Sequence, residues 1–365
     1  MSKARIIAFY LPQFHPIPEN DEWWGKGFTE WTNVGKAKML YPGHYQPRVP
    51  ADLGYYDLRV PEVREQQAGL AKEAGIEGFC YWHYWFGDGK ELLDRPFKEV
   101  LSSKKPDYPF CLAWANHSWY AKTWDKDVRK DKLLIEQTYG DEQDYEKHFY
   151  SVLPAFKDKR YLTQDKKQIF MIYNPLANDD VRRFMEVWNK LAKKEGLEGI
   201  YWVGHCLNDS NNLARYKALG FDSINVYSMV AYRKKLSLFR KGVQKLVRNL
   251  FRLPDISDFG EVVAEISDGT QNDPQVSPAI LAGWDNTPRA GRNGGVLSGY
   301  TPETFQCHAE NVLAAMKART QDNGLVFLKS WNEWAEGNYI EPDLKYGKAY
   351  ITALKNAINL VEKTH

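Results

Sequence analysis

Eight short runs of apolar, β-branched or aromatic residues recur along this chain, and stretches with helical periodicity separate them. Such runs are typical of buried parallel strands, because both faces of those strands are covered. They are Arg5–Tyr10, Gly78–Trp85, Phe110–Ala115, Ile169–Tyr173, Ile200–Gly204, Ser223–Tyr227, Ala279–Gly283 and Gly324–Ser330. Strands that alternate with helices in this number predict an α/β fold, a single (β/α)8 TIM barrel over residues 1–365.

The sequence between the strands carries the helical signals. The predicted helices are Val60–Ala74, Leu92–Leu101, Glu142–Phe156, Asp180–Lys194, Leu213–Leu219, Pro302–Lys317 and Lys348–Glu362. A doubly wound sheet is the alternative, but it predicts fewer strands and a glycine-rich phosphate turn after the first. Here the first strand is followed by Leu11-Pro12-Gln13-Phe14-His15-Pro16, so the barrel is favoured.

The composition is that of an ordinary globular protein with a high aromatic content. Hydrophobic residues make up 43% and charged residues 26% of the chain, and the net charge is +2. This balance argues against a nucleic-acid partner bound through bulk electrostatics. No apolar run approaches the ~20 residues that span a membrane. The 13 Trp and 22 Tyr fit an extended carbohydrate surface, because indole and phenol rings offer flat faces to sugar C–H groups.

Two long insertions interrupt the predicted barrel. Residues 11–59 form a β1–α1 loop rich in Trp, Pro and Gly, and loops of that length are usually functional. The second insertion covers residues 230–275, and its segment Arg233–Arg252 has eight basic and no acidic residues, interleaved with apolar ones at roughly helical spacing. This amphipathic segment suits peripheral contact with an anionic membrane or a grip on an acidic glycan. The alternative is a solvated helix whose apolar stripe packs on the barrel.

Two carboxylates three residues apart follow the last predicted strand. They lie in Trp331-Asn332-Glu333-Trp334-Ala335-Glu336-Gly337, where tryptophans bracket the first of them. Cleavage of a glycosidic bond needs one group that protonates the leaving oxygen and one that acts near the anomeric carbon. Glu333 and Glu336 are therefore the candidate catalytic residues. Acidic pairs at this spacing are also common on the first turn of surface helices.

Polar and aromatic side chains follow nearly every predicted strand, at the end where active sites of this fold lie. The candidate substrate-binding residues are Tyr10, Gln13, His15, Glu30, Trp31, His83, Tyr84, Trp85, Trp114, Asn116, His205, Tyr227, Trp284, Asp285, Asn332 and Trp334. Purely structural roles, in the core or in loops, remain open for several of these residues. His83 and His205 have apolar neighbours and suit a core, and Asn116 suits a loop-fixing role. Trp82 is interpreted as packing behind its strand.

Other chemistries have less support in the sequence. There is no HExxH, no GxSxG, and no metal-holding DxD near the predicted strand ends, so we expect neither a metal nor another cofactor. The four cysteines are far apart, which is typical of reduced thiols. Residues 1–5 lead directly into a short apolar segment with no signal-peptide pattern. These features predict a cytoplasmic protein, with the inner face of the membrane as a further location.

Five segments together resemble the WbsX-like family, which is similar to glycoside hydrolase family 99. They are Phe9–His15, Gly27–Asn33, Tyr81–Trp85, Gly283–Arg289 and Trp331–Gly337. The resemblance covers essentially the whole chain, and for family 99 proper it is clearest at the two glutamates. It implies a metal-independent, retaining (β/α)8 enzyme like the endo-acting α-mannosidases of family 99.

The resemblance also implies a role for each glutamate. Glu333 would deprotonate the sugar 2-hydroxyl, which attacks the anomeric carbon and gives a 1,2-anhydro sugar. Glu336 would protonate the leaving oxygen and then activate the water that opens the epoxide, with Tyr227 as a candidate assistant. Attack by O2 requires O2 trans to the leaving group, as in α-manno or α-L-rhamno sugars. Other retaining enzymes instead use a carboxylate nucleophile ~5 Å from the acid.

WbsX-like proteins tend to be encoded with enzymes of O-antigen and capsule biosynthesis, and they have been labelled glycosyltransferases. The expected partner is therefore an oligo- or polysaccharide, which includes lipid-linked forms. Three functions follow for a chain of this kind. The first is a retaining glycoside hydrolase or transglycosylase, the second is a glycosyltransferase, and the third is a non-catalytic glycan-binding barrel.

Overall fold

A computed structural model describes residues 4–121, 132–206, 213–226, 229–266, 273–319 and 324–363. Eight parallel strands close into a barrel, which confirms the predicted fold class. The barrel strands, β1 to β8, are Arg5–Tyr10, Gly78–Trp85, Phe110–Trp114, Lys167–Ile172, Ile200–Cys206, Ser223–Val226, Val276–Leu281 and Leu325–Lys329. Strand β1 pairs with β2 on one side and with β8 on the other, and this double pairing closes the barrel.

Thirteen helices of α type connect and cover these strands in the described part of the chain. Helices α1 to α13 are Pro18–Trp24, Glu30–Gly35, Pro61–Ala74, Arg95–Ser103, Glu142–Phe156, Val181–Lys194, Leu213–Leu219, Met229–Lys235, Leu238–Phe251, Phe259–Ile266, Thr287–Ala290, Pro302–Lys317 and Ala349–Lys363. Local chemistry fixes several ends. The Thr301 side chain accepts from the Thr304 N–H at the start of α12, and α3 stops at Gly75, whose φ is 86°.

Aromatic rings fill the interior of the barrel near its carboxyl end. Phe9 of β1 stacks on Trp82 of β2 with 4.9 Å between ring centroids, and its ring lies 5.5 Å from Phe327 of β8. Tyr173, directly after β4, packs edge-on against Trp82 and stacks with His205 of β5. This layer forms the floor beneath the mouth of the barrel.

The first insertion folds back onto the barrel mouth. It contains α1 and α2, and the Ala51 N–H donates to the Pro342 carbonyl in the segment after β8. Arg48 also donates to the carbonyl of Gly337 at 3.1 Å. The loop therefore lies over the carboxyl ends of the strands, where the candidate residues converge.

The second insertion divides into a packed part and a projecting part. Residues of α8 and α10 pack with strand β7 in a small cluster that includes Tyr232, Phe259 and Leu281. None of the 14 residues of α9, all within the described ranges, is buried. Leu236, which precedes α9, packs against that cluster, but the apolar side chains of α9 itself do not pack on the barrel. The alternative of a helix whose apolar stripe packs on the barrel therefore does not hold for α9. Within the described residues, no helix has the length and apolar character needed to cross a membrane.

Candidate active site

A tight hairpin after β8 carries both catalytic candidates. Asn332–Glu333 pairs antiparallel with Asn338–Tyr339, and a short 3-10 turn, Trp334–Glu336, connects them. Gly337 ends the turn with φ of 57°, and a Cβ there would lie 2.8 Å from the Cβ of Asp285. Only glycine suits this position, because the backbone is left-handed and its neighbour is a buried main chain. The hairpin holds the two carboxylates at the barrel mouth.

Arg289 joins three carboxylates into one cluster. Its Nη1 donates to Glu336 Oε1 at 2.6 Å, and its Nη2 lies 3.5 Å from Glu333 Oε2. Its Nε and Nη2 contact Glu30 Oε2 at 3.2 and 3.0 Å. Glu30 begins α2 in the first insertion, and Arg289 lies in α11 after β7. The site is therefore built from β8, the β7 connection and the long first loop.

The two catalytic candidates differ in environment. Glu333 is buried, and this burial together with the charge of Glu336 raises its pKa to about 7. The charges of Arg289 and Lys329 act against that rise. Glu336 is partly exposed and accepts a short hydrogen bond from Arg289. A carboxyl group with a pKa near neutrality can give or take a proton at physiological pH, which suits acid–base chemistry.

Two buried tyrosines lie within electrostatic reach of the carboxylates. Burial raises the pKa of Tyr84, and the charge of Glu333 adds to the effect. Burial likewise raises the pKa of Tyr173, with contributions from Glu336 and Glu333. Both hydroxyls therefore stay protonated near neutral pH and can donate hydrogen bonds. The Tyr84 ring also packs edge-on against the half-buried Trp119, which extends the aromatic wall of the mouth.

His205 belongs to the floor of the site. Its Nδ1 is 2.7 Å from Asn225 Oδ1, and its ring contacts those of Phe9, Trp82 and Tyr173. Burial, with a contribution from the charge of Lys329, lowers the pKa of His205 to about 3. The imidazole is therefore neutral at physiological pH and supports the aromatic layer.

Several other candidates hold the hairpin and the first loop in place. Asn332 accepts from the Leu11 N–H at 2.7 Å and donates to the Leu11 carbonyl at 3.0 Å, which ties β8 to β1. Trp334 stacks on Tyr339 and lies 5.4 Å from Trp31 between ring centroids. The indole N–H of Trp31 donates to the carbonyl of Tyr56.

The remaining candidates of the first loop are the half-buried Gln13 and the buried His15. The Gln13 carbonyl accepts from the Glu30 N–H at 3.2 Å, so its main chain positions the third carboxylate. His15 Nδ1 contacts the Pro12 carbonyl at 2.9 Å, and burial lowers the pKa of this histidine. Both residues support the loop from which Glu30 projects.

A second group of candidates points away from the mouth, toward the outer helices. Tyr10 donates to Gln67 of α3 at 2.6 Å. His83 Nε2 is 2.9 Å from the Nε2 of His148 in α5, and Trp85 stacks on the same His148 ring. Side chains alternate along a strand, so His83 and Trp85 face outward because Trp82 and Tyr84 face inward. The interpretation of Trp82 as packing behind its strand is wrong.

Trp114 and Asn116 likewise have structural surroundings. The Trp114 indole N–H donates to the Trp85 carbonyl at 2.8 Å, and its ring packs on Phe184 of α6. Asn116 donates to the Asn174 carbonyl and accepts from the Asn174 N–H at 2.8 and 2.7 Å. This pair fixes the chain after β3 to the chain after β4, which is the loop-fixing role left open for Asn116.

Asp285 is a clamp between the first loop and the β7 connection. Its carboxylate accepts from Gln46 and Thr287 at 2.8 and 2.6 Å, and it lies 2.9 Å from His44 Nε2. Burial acts to raise the pKa of Asp285, but the His44 hydrogen bond and the charge of Arg48 outweigh it and lower the pKa. Its neighbour Trp284 is half-buried, and its ring centroid lies 5.9 Å from Lys329 Nζ. Tyr227 lies outside the described residues.

Sequence reasoning did not include Arg289, Tyr173, Lys329 and Glu341 among the site residues. Glu341 is buried beneath the hairpin, accepts from Tyr56, Gln67 and Trp334, and has a pKa raised by burial to about 7. Arg289 lies in the segment Gly283–Arg289 that resembles the WbsX-like family, and Tyr173 ends a predicted strand. Both residues could therefore have been identified from the sequence. Glu341 had none, because its partners are brought together only by the fold.

Metal-ligating side chains do not gather in the same way. Across the described ranges, no group of three or more His, Cys, Asp and Glu residues is arranged to hold a metal ion. The cluster of three carboxylates is instead centred on the guanidinium of Arg289.

Comparison with known proteins agrees with the fold and with the motifs. The uncharacterized protein WxcX of Xanthomonas campestris pv. campestris strain B100 is 34% identical over 360 residues, which are 97% of this chain and 50% of WxcX. The chain thus spans about half the length of this curated relative.

Solved structures share the barrel. A glycoside hydrolase-like protein superposes with a TM-score of 0.61 at 14% identity, covering 98% of this chain and 94% of its own. The GH99 endo-alpha-mannosidase of Bacteroides thetaiotaomicron has a TM-score of 0.54 at 14% identity, with 98% of both chains covered. At such identity the likeness concerns the fold. A model of the family described as Glycosyltransferase WbsX matches residues 6–354, so the chain belongs to the WbsX family, as its motifs predicted.

Proposed function

We propose that this chain is a retaining glycoside hydrolase-like enzyme that acts on α-linked manno- or rhamno-configured glycans of bacterial surface polysaccharide. The observation that carries the proposal is the cluster of Glu333, Glu336 and Glu30 around Arg289 at the carboxyl end of the barrel. Active sites of this fold lie at that end. Tyr84 and Tyr173 lie within electrostatic reach of Glu333 and Glu336, and Tyr84 packs against Trp119, so aromatic side chains near the cluster suit a sugar ring.

In the proposed first step, Glu333 takes the proton of the sugar 2-hydroxyl while O2 attacks the anomeric carbon. The bond from that carbon to the leaving oxygen breaks, and Glu336 gives its proton to the leaving oxygen. The product is a 1,2-anhydro sugar. The pKa of Glu333 near 7 supports the role of base, because about half of such a group is ionised at neutral pH.

In the second step, Glu336 takes a proton from water as the water oxygen attacks the anomeric carbon. The bond between that carbon and O2 breaks, and O2 recovers its proton from Glu333. Two inversions give net retention of configuration. Because Glu336 Oε1 accepts from Arg289, the acidic proton belongs on Oε2, the other oxygen of the same carboxyl group.

The roles can be separated with substrates whose leaving groups differ. An aryl glycoside leaves without strong acid assistance, whereas a sugar leaving group needs it. Glu336 also activates the water of the second step, so Glu336→Gln should lose some activity on activated aryl α-mannosides and α-L-rhamnosides, but its loss on oligosaccharides should be at least about a hundredfold larger. Glu333→Gln should lose activity on both classes. The reverse pattern would exchange the two roles, and activity retained by both variants would contradict the proposal.

A glycosyltransferase is the second candidate, and the description of the matching family as a glycosyltransferase favours it. Such an enzyme would release a nucleotide from a sugar-nucleotide donor in the presence of an acceptor glycan. Donor turnover without glycoside cleavage would support this alternative. Glycan binding that persists in both glutamate variants, with no turnover by the wild type, would support a non-catalytic barrel.

A further inference from the structure

Helix α9, Leu238–Phe251, presents an apolar surface that the described protein does not cover. Leu238 is 87% exposed, Phe239 81%, Leu246 66% and Leu250 70%. Isolated apolar residues on a surface are ordinary, but a row of large ones along a single helix marks a binding surface. The spacing of three and four residues from Phe239 through Val243 and Leu246 to Leu250 places these side chains on one face.

The orientation of α9 is the reverse of that of a core helix. Gln244 and Arg248, which lie on the side opposite to Phe239 and Leu246, are the half-buried residues of this helix. Arg248 also lines a cavity of about 340 Å³ together with Trp284 and Asn286, which follow β7. The polar side of α9 thus faces the protein, and its apolar side faces outward.

Ion pairs hold the insertion in this orientation. Arg240 of α9 pairs with Glu261 of α10 at 2.7 Å, and Arg233 of α8 pairs with Asp255 at 2.5 Å. Lys235 of α8 forms a further pair with Glu265. A segment with eight basic residues and no acidic one therefore stays anchored by its charged side while it displays its apolar side.

Charge identifies the partner that this surface fits. The exposed Lys241 and Lys245 lie on the same helix as the apolar row. Because a helix is only about 10 Å across, charges on its sides and back lie within roughly one Debye length of a surface on which it rests. An apolar stripe of this kind, on a helix whose other faces carry basic and no acidic side chains, matches the hydrocarbon boundary and anionic headgroups of a bilayer.

We propose that α9 is a membrane-docking helix that lies in the headgroup layer of an anionic bilayer, with Phe239, Leu246 and Leu250 inserted. Helix α8 starts three residues after β6 ends, so the insertion leaves the barrel at its carboxyl end. The docking surface therefore lies on the same end of the barrel as the Arg289 cluster. This inference does not depend on the reaction that the cluster performs.

The test is co-sedimentation of the chain with vesicles of phosphatidylcholine alone and of phosphatidylcholine mixed with phosphatidylglycerol. We expect wild-type protein to bind the anionic vesicles and to be released by salt. The triple variant Phe239→Ser/Leu246→Ser/Leu250→Ser should lose binding at least tenfold, and Lys241→Gln/Lys245→Gln should weaken it by about tenfold. The matched control is Leu360→Ser on α13, which removes a leucine that is 53% exposed elsewhere and should bind like wild type.

A single variant, Phe239→Trp, gives an independent readout: because the chain already has 13 Trp, the measured quantity is the extra quenching by brominated lipid in the variant relative to wild type. Circular dichroism of each variant confirms that the fold is retained. Absence of binding to anionic vesicles, or equal binding to neutral ones, would overturn the proposal. So would a concentration-dependent dimer that the triple variant abolishes, because α9 would then be an interface between copies of the chain.

Discussion

Among single residues, Arg289 contacts all three carboxylates of the candidate site. Its positive charge lowers the pKa of Glu333, which burial and Glu336 raise to about 7. Arg289→Gln removes that charge, so the pKa of Glu333 should rise further. If Glu333 is the base, the rising limb of kcat/KM against pH should move to higher pH. The exposed Arg292→Gln, outside the cluster, is the control and should leave the limb in place.

Where turnover of Arg289→Gln is too slow for a pH profile, NMR of glutamate carboxyls labelled with ¹³C measures the same pKa. An unchanged or lowered pKa of Glu333 would contradict the electrostatic account. A loss of activity at all pH values with no change in pKa would instead assign Arg289 to substrate binding.

At the scale of one element, strand β2 separates the site from the outer core residue by residue. The charge of Glu333 raises the pKa of Tyr84, whereas Trp85 stacks on His148 of α5. We expect Tyr84→Phe to lower kcat/KM at least tenfold with little change in the free energy of unfolding, because one hydroxyl is lost at the mouth. Trp85→Ala should cost about 3–5 kcal/mol of stability through the cavity it leaves.

Urea denaturation and kinetics on both β2 variants check this division. A Trp85→Ala protein of unchanged stability, or a Tyr84→Phe protein of full activity, would show that the assigned directions of the two side chains are wrong.

Strand β2 also shows which features of an element could be predicted from the sequence: its position could, but the direction of its side chains could not. The eight barrel strands and the seven predicted helices lie within a few residues of their predicted positions, because apolar runs and caps such as Gly75 are local signals, whereas the short helices of the two insertions were not predicted with bounds. The direction of each side chain in β2 could not, since all eight residues are buried and no polar alternation distinguishes the two faces. From the sequence, His83 and Trp85 were therefore placed with Tyr84 among the candidate substrate-binding residues, although His83 and Trp85 face the outer helices.

At the scale of the whole molecule, contacts between residues far apart in sequence assemble the candidate site, and these contacts could not be predicted from the sequence. Glu30, Arg289 and Glu336 lie far apart in sequence, and only barrel closure and the return of the first loop bring them together. The glutamate pair could be predicted because both members lie in one short motif. The outward orientation of α9 could not, since an amphipathic pattern does not indicate which face meets the protein.

Buried histidines make the stability of the whole molecule depend on pH. His308 accepts from the Leu281 N–H at 3.0 Å, and burial lowers its pKa to about 4. The unfolded chain therefore binds a proton below pH ~6.5 that the folded chain does not, and stability falls as pH falls between these values. The raised pKa values of Glu333 and Glu341 make the folded state more stable as pH falls, which opposes the effect of His308. The effect of His308 alone is therefore obtained from the difference in free energy of unfolding between the wild type and a His308 variant.

His308→Gln keeps an acceptor near Leu281 but does not titrate. The free energy of unfolding of the wild type minus that of the variant should fall by about 1.4 kcal/mol per pH unit from pH ~6.5 to ~4. Urea titrations across this range measure the difference, which should stay constant above pH ~7. A constant difference throughout would mean that His308 is not held neutral by burial.

Participation of the sugar 2-hydroxyl distinguishes the proposed reaction from one with a carboxylate nucleophile, and a comparison of two substrates separates them. Rates are measured for an aryl α-mannoside or α-L-rhamnoside and for its 2-deoxy analogue, which is intrinsically more labile because it lacks an electron-withdrawing oxygen. We expect turnover of the parent, with retention of configuration, and none of the 2-deoxy sugar, because no O2 is present to form the 1,2-anhydro intermediate. Comparable turnover of both would contradict the participation of O2 and would leave a carboxylate as the nucleophile.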